Sequence, residues 1–466
     1  MSLDSDIRRS VIEVLSARAT ATSRGLIVYL MDLLDHADFR IVEQASSFSN
    51  SSGTNLVGLR GPPGSGGLLL CSSIVEREPR HPELWQVTEE DPYNPTELDG
   101  LLYGYGTTGG KVDLVCRILA ASRVDVAELK KPLIVAGLFG DEARIGGAMH
   151  LLDSGICSPQ WALVGEATNL ELVTAHRGYL LLEVASDLQP SPAAPSAKSR
   201  CFRVETQGLS AHSAASTLGR NAIECALAQI GSWRLLGVPF TVHSLTGGGR
   251  PGVVPERCSF VVQTEADWWP TGPNLVVETT ERADYGPPLD AALEQWRDFR
   301  SRLHELFRWT APEAPDFSPS SPIHAVIGVH ATGSEITWWL DYRTLPGQRM
   351  EQLVRDVEIL ARRQSRIDRR LRVEVSRNLL PMETDRDAEL VDACRSVLRE
   401  IGVPAVCAAY PGYAEGWIFA AAQIQTVCFG PGDALSVAHR PDEFVPLDHI
   451  ERASAFYERL IRRLCT

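Results

Sequence analysis

Residues 132–147 read PLIVAGLFGDEARIGG and combine a strand pattern, a turn and the start of a helix. The run LIVAGLF is apolar throughout and predicts a buried strand that ends at a glycine. Asp141 and Glu142 then fall on a turn, before two further glycines lead into a helix pattern. Open α/β sheets place their chemistry at such turns, outside the carboxyl ends of the strands. Glu142 is therefore a candidate catalytic residue, and the residue that follows it is Ala143.

Strand and helix patterns alternate on both sides of this stretch. A strand is predicted at residues 67–75, GLLLCSSIV, and a glycine-rich turn at 104–111, GYGTTGGK, precedes a helix. The stretch WALVGEAT is a further strand that ends beside Glu166. The pattern predicts an α/β catalytic domain with a mostly parallel sheet, formed by residues 1–175 and 376–466. A serine-rich segment, SSFSNSSG, is expected to be irregular.

The middle of the chain, residues 176–375, has a different pattern. Two strands, YLLLEVASD and RCFRVETQG, flank a Pro/Ala/Ser linker that predicts a loop. Helices at residues 220–233, 288–307 and 349–363 and further strands follow, which predicts an inserted α+β domain. The stretch WTAPEAPDFSPSSP, residues 309–322, is expected to be a loop or disordered insertion.

Composition excludes several classes of partner. The formal charge of −14 argues against binding to nucleic acid or to an anionic membrane surface. No apolar run approaches the roughly 18 residues of a membrane span, and the N-terminal pattern is an amphipathic helix without an apolar signal core. The ten cysteines form no CxxC pair, and several lie in apolar runs. Buried free thiols fit a reducing compartment, and together with the lack of a signal core they predict a cytoplasmic protein. The charge does not bear on a small-molecule substrate.

Eight stretches together resemble a known enzyme family. They are LLLCSSIV, DGLLYGYGTTGGK, LFGDEARIGG, VGEAT with AHRG, SAHSAASTLGRNAI, GVVPERCSF, DYRTLPGQ and FGPGDALSVAHRPDEFV. In this order the chain resembles the dinuclear zinc deacylases and exopeptidases that include acetylornithine deacetylase, succinyl-diaminopimelate desuccinylase and aminoacylase. The resemblance covers nearly all of the chain except residues 266–330. It implies an α+β lid domain of two helices and four strands, here residues 176–375, through which a homodimer forms.

The same resemblance implies five metal ligands and a general base, and the chain departs from that set. Glu142 stands at the base position, and Glu166 and His439 remain as ligands. The other ligand positions carry residues that do not bind zinc: Ser73, Gly109 and Ala143. Each metal would keep one protein ligand instead of three, whereas zinc sites keep three or four. We therefore expect no zinc and no other cofactor.

Further residues take their predicted roles from the resemblance. His212, in SAHS, matches a histidine that stabilises the oxyanion in the partner's active site, and is a candidate catalytic residue. Trp417 replaces the carboxylate-binding arginine of the desuccinylases, which disfavours a succinylated substrate. Arg343, in DYRTLPGQ, is expected to be more structural than substrate-binding. The candidate substrate-binding set is Glu166, His439, Ser73, Glu415 and Arg343.

Three functions remain open at this point. The first is a metal-independent enzyme that acts on an amide, ester or amino-acid-like molecule by acid–base chemistry, through acyl transfer, amide formation, cyclisation or elimination. The second is a catalytically inactive homologue that binds a ligand or a partner. The third is a zinc-dependent amidohydrolase or peptidase with atypical ligands. The retention of Glu142, Glu166, His439 and His212 favours the first over the second.

Overall fold

The computed structural model describes residues 4–17, 24–48, 51–74, 79, 82–139, 146–189, 198–280, 286–438 and 440–466. Glu142, Ala143 and His439 lie outside these described residues. The chain divides into two compact units. Unit 1 comprises Met1–His176 and Met382–Thr466, and unit 2 comprises Arg177–Pro381.

The first part of unit 1 alternates helices and strands. Its elements are α1 (Ser5–Ser16), α2 (Arg24–His36), β1 (Arg40–Phe48), β2 (Ser51–Arg60), β3 (Leu68–Ser73), β4 (Thr96–Leu98), β5 (Leu101–Tyr103), α3 (Gly110–Ser122), β6 (Leu133–Leu138), α4 (Gly146–Asp153), β7 (Trp161–Gly165) and β8 (Leu172–His176).

Unit 2 follows, and the chain then returns to unit 1. The elements of unit 2 are β9 (Tyr179–Asp187), β10 (Arg200–Gln207), α5 (Ala222–Leu235), β11 (Thr241–Gly248), β12 (Arg257–Thr264), β13 (Leu275–Thr280), α6 (Asp290–Trp309), β14 (Ile323–Ala331), β15 (Glu335–Arg343), α7 (Met350–Gln364) and β16 (Leu371–Leu379). The returning elements are β17 (Met382–Glu383), α8 (Glu389–Glu400), β18 (Cys407–Tyr410), α9 (Gly416–Ala421), β19 (Gln425–Phe429), α10 (Ala434–Val437), β20 (Phe444–Pro446) and α11 (Leu447–Cys465).

The main sheet of unit 1 has the strand order β1-β2-β6-β3-β7-β19-β8-β17, and β18 pairs with β8. The four central strands β6, β3, β7 and β19 are parallel, and the flanking pairs β1–β2, β2–β6 and β8–β17 are antiparallel. Every residue of β6 is buried. A strand covered on both faces is apolar throughout, which is why LIVAGL shows no alternation. The predicted α/β class is confirmed.

The expectation of an irregular serine-rich segment is wrong for its described residues, 46–48 and 51–53. These residues belong to β1 and β2, which form an antiparallel pair with Phe48 opposite Ser51 in the register. Backbone hydrogen bonds to a neighbouring strand form whatever the side chains are, so a polar sequence can still be a strand. Composition alone misassigned these residues.

Unit 2 contains one antiparallel sheet of eight strands in the described residues, in the order β13-β10-β12-β11-β14-β15-β9-β16. Helices α5, α6 and α7 supply apolar side chains to its core. Trp296 of α6 stacks on Trp338 of β15 with ring centroids 4.3 Å apart. The α+β class is confirmed, but the two helices and four strands that the resemblance implies are fewer than the three helices and eight strands described. Part of the difference is helix α6 and strands β13 and β14, which lie in or at the edge of residues 266–330, a stretch that the resemblance did not cover.

The loop between α6 and β14 is held by a buried arginine. Arg177 donates to the carbonyl oxygens of Ser321, at 3.0 Å, and Pro319, and its guanidinium lies 4.9 Å from the Phe317 ring centroid. Burial lowers the pKa of Arg177 to about 10. These contacts fix a loop that has the composition of a disordered segment.

Two expectations from composition can be compared with the described part of the chain. No helix there combines the length and the apolarity needed to cross a membrane. All ten cysteines are free, and Cys71, Cys116 and Cys428 are buried as their apolar surroundings predicted.

Candidate functional site

Two candidate residues of unit 1, Ser73 and Glu166, lie at the carboxyl ends of parallel strands. Ser73 is the last residue of β3, Glu166 directly follows β7, and Gly430 directly follows β19. A Cβ added to Gly430 would lie 2.5 Å from the backbone oxygen of Glu166, so the two loops touch. The structure therefore places Ser73 and Glu166 at the edge where α/β folds carry their chemistry.

The glycine-rich turn packs directly on the end of β3. Gly109 is the N-cap of α3 with φ −92° and ψ 165°, an extended conformation open to any residue. A Cβ added to the next residue, Gly110, would overlap the carbonyl oxygen of Ser73. Serine and glycine stand side by side here, and neither offers the imidazole, thiolate or carboxylate that zinc binds.

A buried carboxylate that the sequence interpretation did not select holds the glycine-rich turn. Oε1 of Glu443 accepts from the backbone N–H groups of Gly106 and Thr108, both at 3.1 Å, and from the Thr108 hydroxyl at 3.0 Å. Glu443 is only 3% exposed. The sequence signal for Glu443 was its position in HRPDEF, close to His439, but nothing in the neighbouring sequence identified the glycine-rich turn as its partner.

Two acidic candidates lie among aromatic side chains. The Tyr410 hydroxyl is 3.5 Å from Oε1 of Glu166. Glu415 precedes α9, and Trp417 in the first turn of that helix donates to the Tyr413 hydroxyl at 3.2 Å. Burial raises the pKa of the Cys428 thiol well above its usual value, and the nearby carboxylates of Glu166 and Glu415 raise it further. The site edge is therefore electronegative.

A histidine outside the predicted set joins this aromatic group. His176 ends β8 and is fully buried. Its ring packs edge-on against Tyr413 with centroids 5.9 Å apart. A Cβ added to Gly416 would lie 3.4 Å from Nε2 of His176, so the start of α9 closes over the imidazole. The segment AHRG entered the sequence interpretation only as part of a motif.

A buried ion pair forms the layer beneath the strand ends. Asp113 of α3 accepts from the Ser72 hydroxyl and from Nε of Arg117, both at 2.6 Å, and from the Tyr457 hydroxyl. Burial alone would lower the pKa of Arg117, but the neighbouring Asp113 carboxylate raises it above its usual value. A Cβ added to Gly165 would overlap Oδ2 of Asp113. The network therefore fixes how closely α3 approaches β7.

In unit 2, His212 lies just before a 3₁₀ turn, Ser213–Leu218. Its Nδ1 accepts from the backbone N–H of Ala214 at 3.1 Å. Since Nδ1 is the acceptor, the neutral ring carries its proton on Nε2, which can donate to an oxyanion. The side chain is partly exposed, as such a role requires.

Arg343 lies beside this histidine in the fold but is fully engaged. It is 1% exposed, it pairs with Asp341 at 2.8 Å, and it donates to the Ser213 hydroxyl at 2.9 Å. Its guanidinium stacks over the Tyr179 ring at 4.1 Å. These contacts favour the structural role over the substrate-binding role, because Arg343 fixes the residue after His212.

The described residues contain no group of three or more His, Cys, Asp or Glu side chains arranged to hold a metal ion. Glu142 and His439 are not among the described residues. Ser73 and Gly109 are, and they do not fit a zinc site, since they bring no ligand atom to the strand ends beside Glu166.

Residues 78–463 match the Peptidase family M20/M25/M40. Solved structures with the same fold include the aminoacylhistidine dipeptidase of Vibrio alginolyticus, with 15% identity, coverage of 99% of this chain and 97% of that chain, and a TM-score of 0.64. An M20 family metallo-carboxypeptidase from Sulfolobus solfataricus has 14% identity, coverage of 98% and 99%, and a TM-score of 0.59. A di-peptidase from Saccharomyces cerevisiae has 12% identity, coverage of 98% and 96%, and a TM-score of 0.57. At these identities the likeness is one of fold.

Proposed function

Because the chain belongs to the Peptidase family M20/M25/M40, we propose that it is an acetylornithine deacetylase-like enzyme that works without zinc. It acts on an amide, ester or amino-acid-like small molecule by acid–base chemistry, in the cytoplasm. One observation carries the proposal: Gly109 caps α3 directly against the end of β3, where the resemblance requires a carboxylate that bridges two metals. Without that bridge a metal pair lacks its shared ligand.

Glu142 is the proposed proton carrier. It follows β6 in sequence, and β6 lies next to β3 in the sheet. We propose that Glu142 acts as the general acid or base beside Ser73 and Glu166. His439 and Glu415 then contact the substrate.

His212 is the proposed oxyanion donor, through its Nε2 proton. It belongs to unit 2, and we propose that it acts in the active site of the partner in a homodimer. The proposed reaction classes are acyl transfer, amide formation, cyclisation and elimination, and each can use a proton carrier, while those that pass through an oxyanion can also use its donor.

A zinc-dependent peptidase remains the second candidate. It is favoured by the family match and by the fold shared with a protein described as a metallo-carboxypeptidase. Ser73 also lies outside the matched residues 78–463, so its assignment to a ligand position depends on the motif alone.

Metal analysis separates these candidates. The protein, purified without chelator, is expected to contain far less than one zinc per chain, and EDTA should leave turnover unchanged. Zinc near one or two equivalents, or loss of turnover with EDTA, contradicts the proposal.

Glu142→Gln tests the acid–base role and also separates an enzyme from an inactive homologue. Turnover of a panel of N-acyl amino acids, dipeptides and amino-acid esters should fall about 100-fold or more, since a general acid or base contributes about 10²–10⁴-fold. Glu171→Gln is the matched control, because Glu171 is exposed and its side chain makes no described hydrogen bond. Equal activity of the two variants would remove Glu142 from the mechanism.

A further inference from the structure

A groove of about 920 Å³ runs between α5 and α6 on unit 2. Two ion pairs join the helices, Arg234–Asp290 at 2.6 Å and Arg300–Glu224 at 2.7 Å. The paired residues are ten positions apart on each helix, so the helices are antiparallel and the pairs lie about 15 Å apart. The groove has the volume of a small-molecule site, for which about 300–1,000 Å³ is usual.

The floor of the groove is apolar. Leu227, Ile230, Leu293 and Trp296 line it, and Ile230 and Trp296 are each only 2% exposed. A Cβ added to Gly231 would meet nothing within 4 Å, so this glycine leaves open space between the helices. A ligand must therefore present an apolar body of up to about 15 Å, the length set by ten helical residues.

One end of the groove carries two histidines. His304 lies one turn beyond Arg300 on α6, and its ring centroid is 4.6 Å from that of His324 on β14. The Arg300 guanidinium lies on the same side and shares its charge with Glu224. N–H donors and a cation at one end of an apolar groove are complementary to an anionic headgroup.

Burial, then the charges of His304 and Arg300, lowers the pKa of His324 to about 4. The ring is therefore neutral at pH 7, and its N–H can donate to a bound group. Arg300 is paired with Glu224, and Glu294 also lines the groove, so the imidazoles of His304 and His324 supply the donors of the headgroup end.

We propose that the groove between α5 and α6 binds an amphipathic carboxylate, with its apolar chain over Gly231 and its carboxylate at His304 and His324. Helix α6 belongs to the stretch that the family resemblance did not cover, so this site is independent of the proposed catalytic function.

Decanoate is a suitable probe for the full-length protein, by isothermal titration below its micelle concentration. We expect one site per chain, binding at least about tenfold weaker for decyltrimethylammonium, and no detectable binding of acetate. Equal affinity for the two charged decyl compounds, or no binding of decanoate, overturns the proposal.

Gly231→Leu should fill the groove and weaken decanoate binding at least about tenfold. Leucine improves helix propensity at this position, so the fold should be retained. Ser232→Leu is the matched control, because Ser232 is exposed on the same helix and does not line the groove. Unchanged binding by Gly231→Leu contradicts the proposed position of the chain.

His304→Gln with His324→Gln should remove the preference for decanoate over decyltrimethylammonium, while circular dichroism shows a folded protein. A retained preference would contradict the headgroup position. Sedimentation of the Gly231→Leu variant tests whether a second copy of the chain occupies the groove instead. A change in oligomeric state, with no decanoate binding by the wild type, would mean that the groove joins two copies of the chain and would overturn the proposal.

Discussion

Asp113 and Arg117 show how individual side chains set the geometry of the candidate site. Both are almost fully buried, and their pairing satisfies the charge of each. Arg117 also donates to the carbonyl oxygen of Leu163 at 2.6 Å, in the strand that leads to Glu166. The pair therefore connects α3, which carries Gly109 as its cap, to β7. A buried pair adds little net stability, but the loss of one partner leaves an uncompensated charge.

Asp113→Ala should lower the free energy of unfolding of unit 1 by about 3–5 kcal/mol, because Arg117 would remain buried and charged. Asp448→Ala is the control, since Asp448 pairs with Arg452 at 3.4 Å on the surface. A surface pair contributes about 0–1 kcal/mol. Urea unfolding followed by fluorescence measures both variants, and equal destabilisation would show that the buried pair has no special role.

The assignment of Ser73, Gly109 and Ala143 to metal-ligand positions can be tested by restoring the ligands that the resemblance implies. The triple variant Ser73→His, Gly109→Asp, Ala143→Glu should bind about one zinc or more per chain, because each metal would regain three protein ligands. The extended backbone at Gly109 accepts an aspartate without strain. Zinc content is measured by mass spectrometry after dialysis.

The control for this experiment is the double variant Ser73→His, Ala143→Glu, which keeps Gly109. It lacks the bridging carboxylate and should hold clearly less zinc than the triple variant. Equal zinc in the double and triple variants, or in the wild type, would show that the assignment of Gly109 to the bridging position is incorrect.

Helix α3 and strand β3 illustrate how closely two elements approach at the site. The start of α3 meets the end of β3 through Gly110, and the helix is buried along most of its length. This contact helps to determine where the cap of α3 lies. The Glu443 carboxylate does the same, because it accepts hydrogen bonds from the glycine-rich turn that precedes the helix. The sequence pattern predicted both elements but not the distance between them.

Gly110→Ala should destabilise the protein by about 1–3 kcal/mol, the usual cost of forcing an extra methyl into a packed contact. The new Cβ would overlap the Ser73 carbonyl oxygen, so α3 would have to move. Gly25→Ala is the contrasting case, in the first turn of α2 with nothing within 4 Å of a Cβ. It should stabilise by up to about 1 kcal/mol. Thermal unfolding measures both, and a neutral Gly110→Ala would contradict the close contact.

For the molecule as a whole, the two units divide the predicted catalytic residues between them. Glu142 belongs to the span of unit 1, and His212 belongs to unit 2. The proposed homodimer assigns these residues to a shared active site from two chains. If two chains form each active site, two different inactive variants can complement each other, whereas a site formed within one chain cannot be restored in this way.

Mixing the inactive variants Glu142→Gln and His212→Ala should restore activity. In a randomly exchanged mixture about a quarter of the sites would contain both native residues, so turnover should recover to roughly 25% of wild type. His304→Gln mixed with Glu142→Gln controls for exchange, since His304 lies outside the proposed catalytic set. No recovery, or a fully active monomer in sedimentation, would contradict the trans role of His212.

Local patterns were sufficient for the elements with strong periodicity. Strands β3, β6 and β7 and helices α5, α6 and α7 lie within about two residues of their predicted bounds, because burial on one or both faces imposes an apolar pattern on each. The meeting of Ser73, Gly109 and Glu166 at one sheet edge could also be predicted, since parallel strands end on the same side.

The remaining features depend on residues that are distant in sequence. Glu443 accepts from a backbone N–H 337 positions away, and Arg117 donates to a carbonyl oxygen 312 positions away. The groove between α5 and α6 requires two antiparallel helices held apart, which neither helix pattern indicates. Periodicity reports which face of an element is buried and does not identify the element that buries it. The sequence by itself therefore predicted the strongly periodic strands and helices and the candidate residues at the strand ends, whereas the buried partners of the site and the groove were decided only by tertiary packing.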